Sequence, residues 1–222
     1  MQRRSAACHP QGLIAGRMLG AADLCYLPRM AGEAAARLPT FVELYARIEQ
    51  LPPGLTGEIL SPGVLRVMSR PSRAHRLAHK QLARVLGPFD ADSGGTGWWI
   101  ELEAEIRFGE RLLVPDLAGW RVERFEEPLT ESPITAVPDW ACEILSPSTG
   151  RDDRRLKLPT YAREGVRHVW LVEPEARLIE VFETREGRAV QLTSGVDEEV
   201  LELPPFVGAT LDLAQLWAPR KA

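Results

Sequence analysis

The stretch from Asp139 to Pro174, DWACEILSPSTGRDDRRLKLPTYAREGVRHVWLVEP, holds a strand, a helix and a second strand in succession. Trp140, Cys142 and Ile144 alternate with Ala141, Glu143 and Leu145, the period of 2 that belongs to a pleated strand. Glu143 therefore has apolar neighbours on its own face. The segment DDRRLKLPTYARE favours a helix, and Gly165 stands where a left-handed residue closes one. RHVWLVEP is again an apolar strand. Strands with a helix between them indicate a mixed sheet.

Upstream, Ile100, Leu102, Ala104, Ile106 and Phe108 alternate with Glu101, Glu103, Glu105 and Arg107, which predicts one strand with a wet face. A Gly109–Glu110 turn then sends the chain back through RLLVPDLAGW as a second strand. GEIL and VLRVM, joined by Ser61, Pro62 and Gly63, form a hairpin. In PTFVELYARIEQL, Thr40 and Glu43 have capping-box spacing. Pro71 and Ser72 open another helix, about Arg73 to Leu86, whose apolar face carries Ala74, Leu77, Ala78, Leu82, Val85 and Leu86. Arg73, Arg76, Lys80 and Arg84 gather on its back, either as a solvated face or as a row of phosphate contacts. His75 and His79 lie on the border between the faces. Downstream, IEVFE and AVQLT predict a hairpin, and LPPFVGATLDLAQLW an apolar tail. The fold class is α/β or α+β, a mixed β-sheet flanked by helices.

The chain has 222 residues, 45% of them hydrophobic and 26% charged, enough for one substantial core without staples. No apolar run is long enough to cross a membrane. A formal charge of −4 excludes a polycation that coats nucleic acid indiscriminately. Cys8, Cys25 and Cys142 form no C-x-x-C pair, which argues against a disulfide framework or a cysteine zinc site and for a cytoplasmic setting. Residues 1–39 carry five Arg against one Asp and one Glu and lack periodicity. They are expected to lie outside the fold, as a disordered arm or as upstream sequence ahead of a true start at Met18 or Met30, and the domain spans 40–218.

Two carboxylates stand where strands should be dry. Asp116 follows Pro115 inside an apolar run, and a proline there marks a strand edge, end or bulge. Glu143 is the other. Each must be neutralised, paired or bound to a cation, because a bare buried charge costs several kcal/mol. Two carboxylates about 4 Å apart repel by about 4 kcal/mol at an effective dielectric of 20. A hard divalent cation, Mg²⁺ or Mn²⁺, relieves that with oxygen ligands alone. Arg151, Arg154, Arg155 and Lys157 crowd the same region and could hold a scissile phosphate. On spacing alone, Asp116, Glu143 and Lys157 read equally as a catalytic trio or as a salt-bridge network at the strand ends.

These segments together resemble the Uma-two family of restriction-endonuclease-like proteins, within the PD-(D/E)xK phosphodiesterase superfamily. The resemblance runs from about Pro39 to Trp217. It is densest in VPDLAGW and in EILSPSTGRDDRRLKLPTYAREGVRHVWLVEP, with GEIL, PSRAHR and LPPFVGATLDLAQLW in the expected order. It implies a restriction-endonuclease-like core in which Asp116 matches the Asp of the PD element and Glu143 the acidic residue of (D/E)xK. The lysine expected two residues after Glu143 is Leu145, and the family offers Lys157 in its place, with Asp153 one turn before it. Glu58 is similar to the acidic residue of the family's first hairpin. The resemblance thus implies a Mg²⁺- or Mn²⁺-dependent endonuclease acting on nucleic acid, with DNA the expected partner. Asp116, Glu143 and Lys157 would be catalytic, with Asp116, Glu143 and Glu58 on the metal. Arg73, Arg76, Lys80 and Arg154 are the candidate nucleic-acid contacts. A homodimer is left open. The alternative is a catalytically inactive nuclease-fold module that binds nucleic acid or protein and keeps the site as an ion-paired relic.

Overall fold

A computed structural model describes residues 37–69, 71–208 and 210–217. Helix α1 (Phe41–Ile48) starts with the expected capping box. The Thr40 hydroxyl accepts the Glu43 N–H, and the Glu43 carboxylate accepts the N–H of Thr40. Phe41, Leu44 and Ile48 on its inner face pack on Ile59 and Leu112. Strands β1 (Thr56–Ser61) and β2 (Val64–Met68) form the predicted hairpin, turned at Gly63, whose φ of +80° suits a residue without Cβ. β1 also pairs with β5 (Arg111–Leu113), and β5 with β4 (Ile106–Phe108) across the Gly109–Glu110 turn. These make a four-stranded sheet in the order β2-β1-β5-β4.

The larger sheet has the order β10-β9-β8-β7-β6-β3. It is built from β3 (Trp98–Leu102), β6 (Leu117–Arg121), β7 (Trp140–Ile144), β8 (His168–Glu173), β9 (Leu178–Arg185) and β10 (Arg188–Val196). β7 and β8 run parallel and every other pair antiparallel, so the sheet is mixed, as predicted. The parallel pair follows from the helical crossover between them. Helix α2 (Arg73–Leu86) lays Ala78, Leu82 and Leu86 on one face of this sheet, against Trp98, Trp140 and Trp170. The tail joins them there, with the small pair β11 (Val200–Glu202) and β12 (Thr210–Asp212) and buried Phe206 and Trp217. On the other face Ala141, Leu145 and Leu171 pack on Leu158 and Tyr161, together with Ile106 and Leu113 of the smaller sheet.

Three expectations are corrected. Ile100 to Phe108 is not one strand: β3 ends at Leu102 and β4 begins at Ile106, in different sheets. Glu103 makes the break with a φ of +52°, its N–H donating to the Asp116 carbonyl at 3.1 Å. Alternation continues across the break, so periodicity could not show it. RLLVPDLAGW likewise divides into β5 and β6, with Val114, Pro115 and Asp116 as the link. Proline supplies no ladder N–H, which ends the pairing there. The third concerns the crossover. It runs as α3 (Gly150–Asp152), a π turn (Asp153–Lys157) and α4 (Leu158–Glu164), closed by Gly165 at φ +90°. Pro159 lacks the N–H that a regular turn would bond back to Arg155, so the helix widens just ahead of it. The expected extension, residues 1–39, lies outside the described residues except at 37–39, where Arg37 pairs with Glu43.

Candidate active site

Glu58 points inward from β1 with none of its surface exposed. Its Oε1 accepts the Val114 N–H at 2.8 Å and faces Lys157 Nζ at 2.7 Å, while Oε2 is buried without a partner. Glu143 projects from the middle of β7 on the face opposite Trp140 and Cys142. Its Oε2 lies 3.0 Å from Lys157 Nζ, and Tyr161 donates its hydroxyl to Oε1. Asp153 Oδ1 is 3.5 Å from the same ammonium. Asp153, Lys157 and Tyr161 recur four residues apart, so the π turn and α4 present all three to β7 on one stripe.

The charges here shape one another. Burial pushes the Glu143 carboxyl well above the ordinary range; Lys157 opposes this, and Asp153, Asp116 and Glu58 reinforce it. Burial likewise raises Asp153 against the pull of Lys157. At Lys157 burial disfavours the charge, but Glu143, Glu58 and Asp153 outweigh it and hold the ammonium protonated well beyond the usual lysine range. The Tyr161 hydroxyl is pushed up by burial and by Glu143, so it remains a donor. Three acidic side chains thus surround one buried cation.

Asp116 sits one residue before β6, whose Leu117 pairs with Cys142, and so lies beside Glu143 at the end of the ladder. Its Oδ2 accepts the Ile144 N–H at 2.7 Å and its Oδ1 faces His75 Nε2 at 2.6 Å. Unlike Glu58, Glu143 and Lys157, Asp116 lines a cavity of about 550 Å³, with Arg66, His75, Glu103 and Ser148 among the walls. The site has an open part at Asp116 and a closed part behind it.

The structure thus brings Glu58, Glu143 and Lys157 into contact, with Asp116 adjacent. The basic residues are distributed otherwise. Arg73, Arg76 and Lys80 are exposed on α2, and Arg76 and Lys80 line a neighbouring depression with His79. Arg154 is held by Glu180 and, at 2.9 Å, by Glu173. Residue patterns missed His75 as the partner of Asp116 and Tyr161 as the partner of Glu143. The second had a signal, since Tyr161 stands at i+4 from Lys157.

The model matching residues 42–214 is that of Uma2, described as "Putative restriction endonuclease". The chain belongs to this family. Among solved structures it is similar to a putative nuclease belonging to DUF820 from Anabaena variabilis, with a TM-score of 0.63 and 19% identity over 80% of this chain and 97% of that one. At that identity the likeness establishes the fold. Among curated proteins there is no match. For the Uma2 chain, the fit of a metal can be tested on the donors present. They suit a hard divalent ion in kind: carboxylate oxygens alone, an excess of acid over base, and one orphaned oxygen at Glu58. As the side chains now stand, no three His, Cys, Asp or Glu residues among those described close round one point. Lys157 holds Glu58 and Glu143, and His75 holds Asp116.

Proposed function

We propose that this Uma2 protein is a Mg²⁺- or Mn²⁺-dependent endonuclease that hydrolyses phosphodiester bonds in DNA, in the cytoplasm. The observation that carries the reading is the buried ammonium of Lys157, shared by Glu58, Glu143 and Asp153 directly behind the cavity onto which Asp116 opens. Packing alone gives no reason to bury four ionisable groups, and perturbed clusters of this kind mark functional sites. Asp116, Glu143 and Glu58 would hold the ion, which when bound polarises the phosphate and lowers the pKa of a water. The protein's own residues supply the rest. Tyr161 and Lys157 fix the two oxygens of Glu143, and His75 and the Ile144 N–H fix those of Asp116. Lys157, held protonated, would offset the charge that builds on the phosphoryl oxygens as the nucleophile attacks. Arg73, Arg76 and Lys80 would take the flanking backbone, and Arg154 could join only by leaving Glu173 and Glu180.

One observation favours the rival reading, a non-cleaving nucleic-acid or protein-binding module: Lys157 already neutralises Glu143 directly, in the closed part of the site. Incubation with supercoiled plasmid and with DNA and RNA oligonucleotides, with and without Mg²⁺ or Mn²⁺, separates the two. Metal-dependent nicking that disappears in Asp116→Asn supports the nuclease. Absence of cleavage on every substrate, with retained binding, establishes the module instead.

A further inference from the structure

The cavity at Asp116 poses an electrostatic difficulty for the nuclease reading. A phosphodiester entering it meets the carboxylates of Asp116 and Glu103 on the walls, while Lys157 is only 3% exposed and lies behind them. Among the described residues that line this cavity, Arg66 alone is a lysine or arginine. Arg76 and Lys80 belong to the neighbouring depression, and Arg154 to another across Ser146 and Pro147.

The hairpin places Arg66 beside the site. Glu58 on β1 pairs with Arg66 on β2, and residues directly opposite in an antiparallel ladder share a face. The shorter Glu58 side chain turns in toward Lys157, and the longer Arg66 reaches the cavity wall, where its side chain is 26% exposed. There Nη1 donates to Asp152 Oδ2, and Nη2 to the Ser148 carbonyl at 3.2 Å. A guanidinium has five N–H donors, of which these bonds use two. The Asp152 side chain is itself 34% exposed, and an ion pair so open to water exchanges at little cost. A phosphodiester offers two oxygens in the geometry that a guanidinium matches bidentately.

We infer that Arg66 is the phosphate-gripping residue of this cavity and that Asp152 holds it ready until a DNA phosphate displaces the carboxylate. The inference rests on the nuclease reading above and assigns the contact that orients the substrate in it.

The test measures binding of a fluorescein-labelled DNA duplex by anisotropy at several salt concentrations, in EDTA so that no cleavage intervenes. Arg66→Ala is expected to weaken binding roughly tenfold, the worth of one charge-assisted bond. It should also reduce the slope of log K against log salt by about 0.9, one phosphate's share. Arg66→Lys should restore the slope but not the full affinity. Asp152→Asn should tighten binding severalfold, because the competing carboxylate is gone. A purely structural clamp between the hairpin and α3 gives another pattern: Arg66→Ala and Asp152→Asn both melt earlier, and Asp152→Asn binds no more tightly. That pattern overturns the inference even if Arg66→Ala fails to fold. A wild-type slope in folded Arg66→Ala discards Arg66 and leaves the nuclease reading standing. A wild-type protein that does not bind the duplex in EDTA discards the inference, and the nuclease reading falls with it only if the plasmid incubation with Mg²⁺ or Mn²⁺ also gives no cleavage.

Discussion

β7 separates two environments from a single strand. On one face the side chains of Trp140, Cys142 and Ile144 join the apolar cluster, and the rings of Trp140, Trp170 and Phe206 pack edge to face at centroid distances of 4.9 to 5.5 Å. Gly119 on β6 makes room for this: a Cβ there would stand 3.1 Å from Trp98 and 3.2 Å from Trp140. On the other face Glu143 shares the wall with Ala141 and Leu145 but contacts Lys157 and Tyr161. The first face gains from each apolar group buried on it, the unpartnered Trp140 indole N–H being the exception. The second needs a partner for each charge, and a fold carries that cost where chemistry requires it.

The contrast can be broken from either side. Lys157→Ala should have the largest effect. It strips the cation from Glu58, Glu143 and Asp153 and is expected to cost about 3–5 kcal/mol in urea unfolding, and to abolish cleavage. Lys157→Met combined with Glu143→Gln and Glu58→Gln should recover much of that stability without activity, because it removes the uncompensated charge with the cation. No recovery would show that the loss came from packing. Trp140→Ala on the apolar face should cost a similar 3–5 kcal/mol, but independently of any charge substitution. Trp140→Phe should cost about 1.5 kcal/mol or less, since the indole N–H it removes is buried without a partner.

The pH dependence of stability should sharpen the contrast further. The folded Glu143 pKa lies above its unfolded value of 4.5, so the folded protein retains a proton that the unfolded chain releases. Its contribution is present below 4.5 and is lost as pH rises toward the folded value. Lys157 acts in the same direction at alkaline pH, where its contribution is present up to the ordinary lysine range of 10.5 and lost above it. In metal-free protein the urea midpoint should therefore fall as pH rises above 4.5, and Glu143→Gln should flatten that fall while Trp140→Phe leaves it unchanged. The smallest effect belongs to Glu43. The Thr40 N–H, the Arg37 guanidinium and the Thr40 hydroxyl lower its carboxyl from 4.5 to about 2. Its contribution is present above 4.5 and lost as pH falls toward 2, opposite in sign to Glu143. An NMR titration of Glu43 with an ordinary midpoint would remove the capping box as its cause.

Much of this arrangement was legible in the chain itself. The alternation around Glu143 gave the two faces of β7, the Thr40 and Glu43 pair gave the start of α1, and Gly165 gave the end of α4. Each is a local pattern, decided by neighbours within a turn or a pleat. Asp116 and Glu143 stood out for the same reason, as charges at positions whose neighbours were apolar. The local rule failed where two states share one pattern. Alternation from Ile100 to Phe108 reads alike for one strand in one sheet and for two strands in two, which the structure tells apart by the positive φ at Glu103 and by different partners, β6 for β3 and β5 for β4.

The sequence by itself thus determined the elements, their buried faces and the acidic residues that needed a partner. Which partner each received was decided by the tertiary structure. Glu58 bonds Val114 from 56 residues away, and Asp116 reaches His75 across 41. The order β10-β9-β8-β7-β6-β3 and the π turn bring Lys157, Tyr161 and Asp153 to a strand whose own pattern held no lysine in register. Such contacts depend on how strands are ordered and how a helix crosses between them. Periodicity reports only which way a side chain faces, so the charges were visible in the sequence and their neutralisation was visible only in the fold.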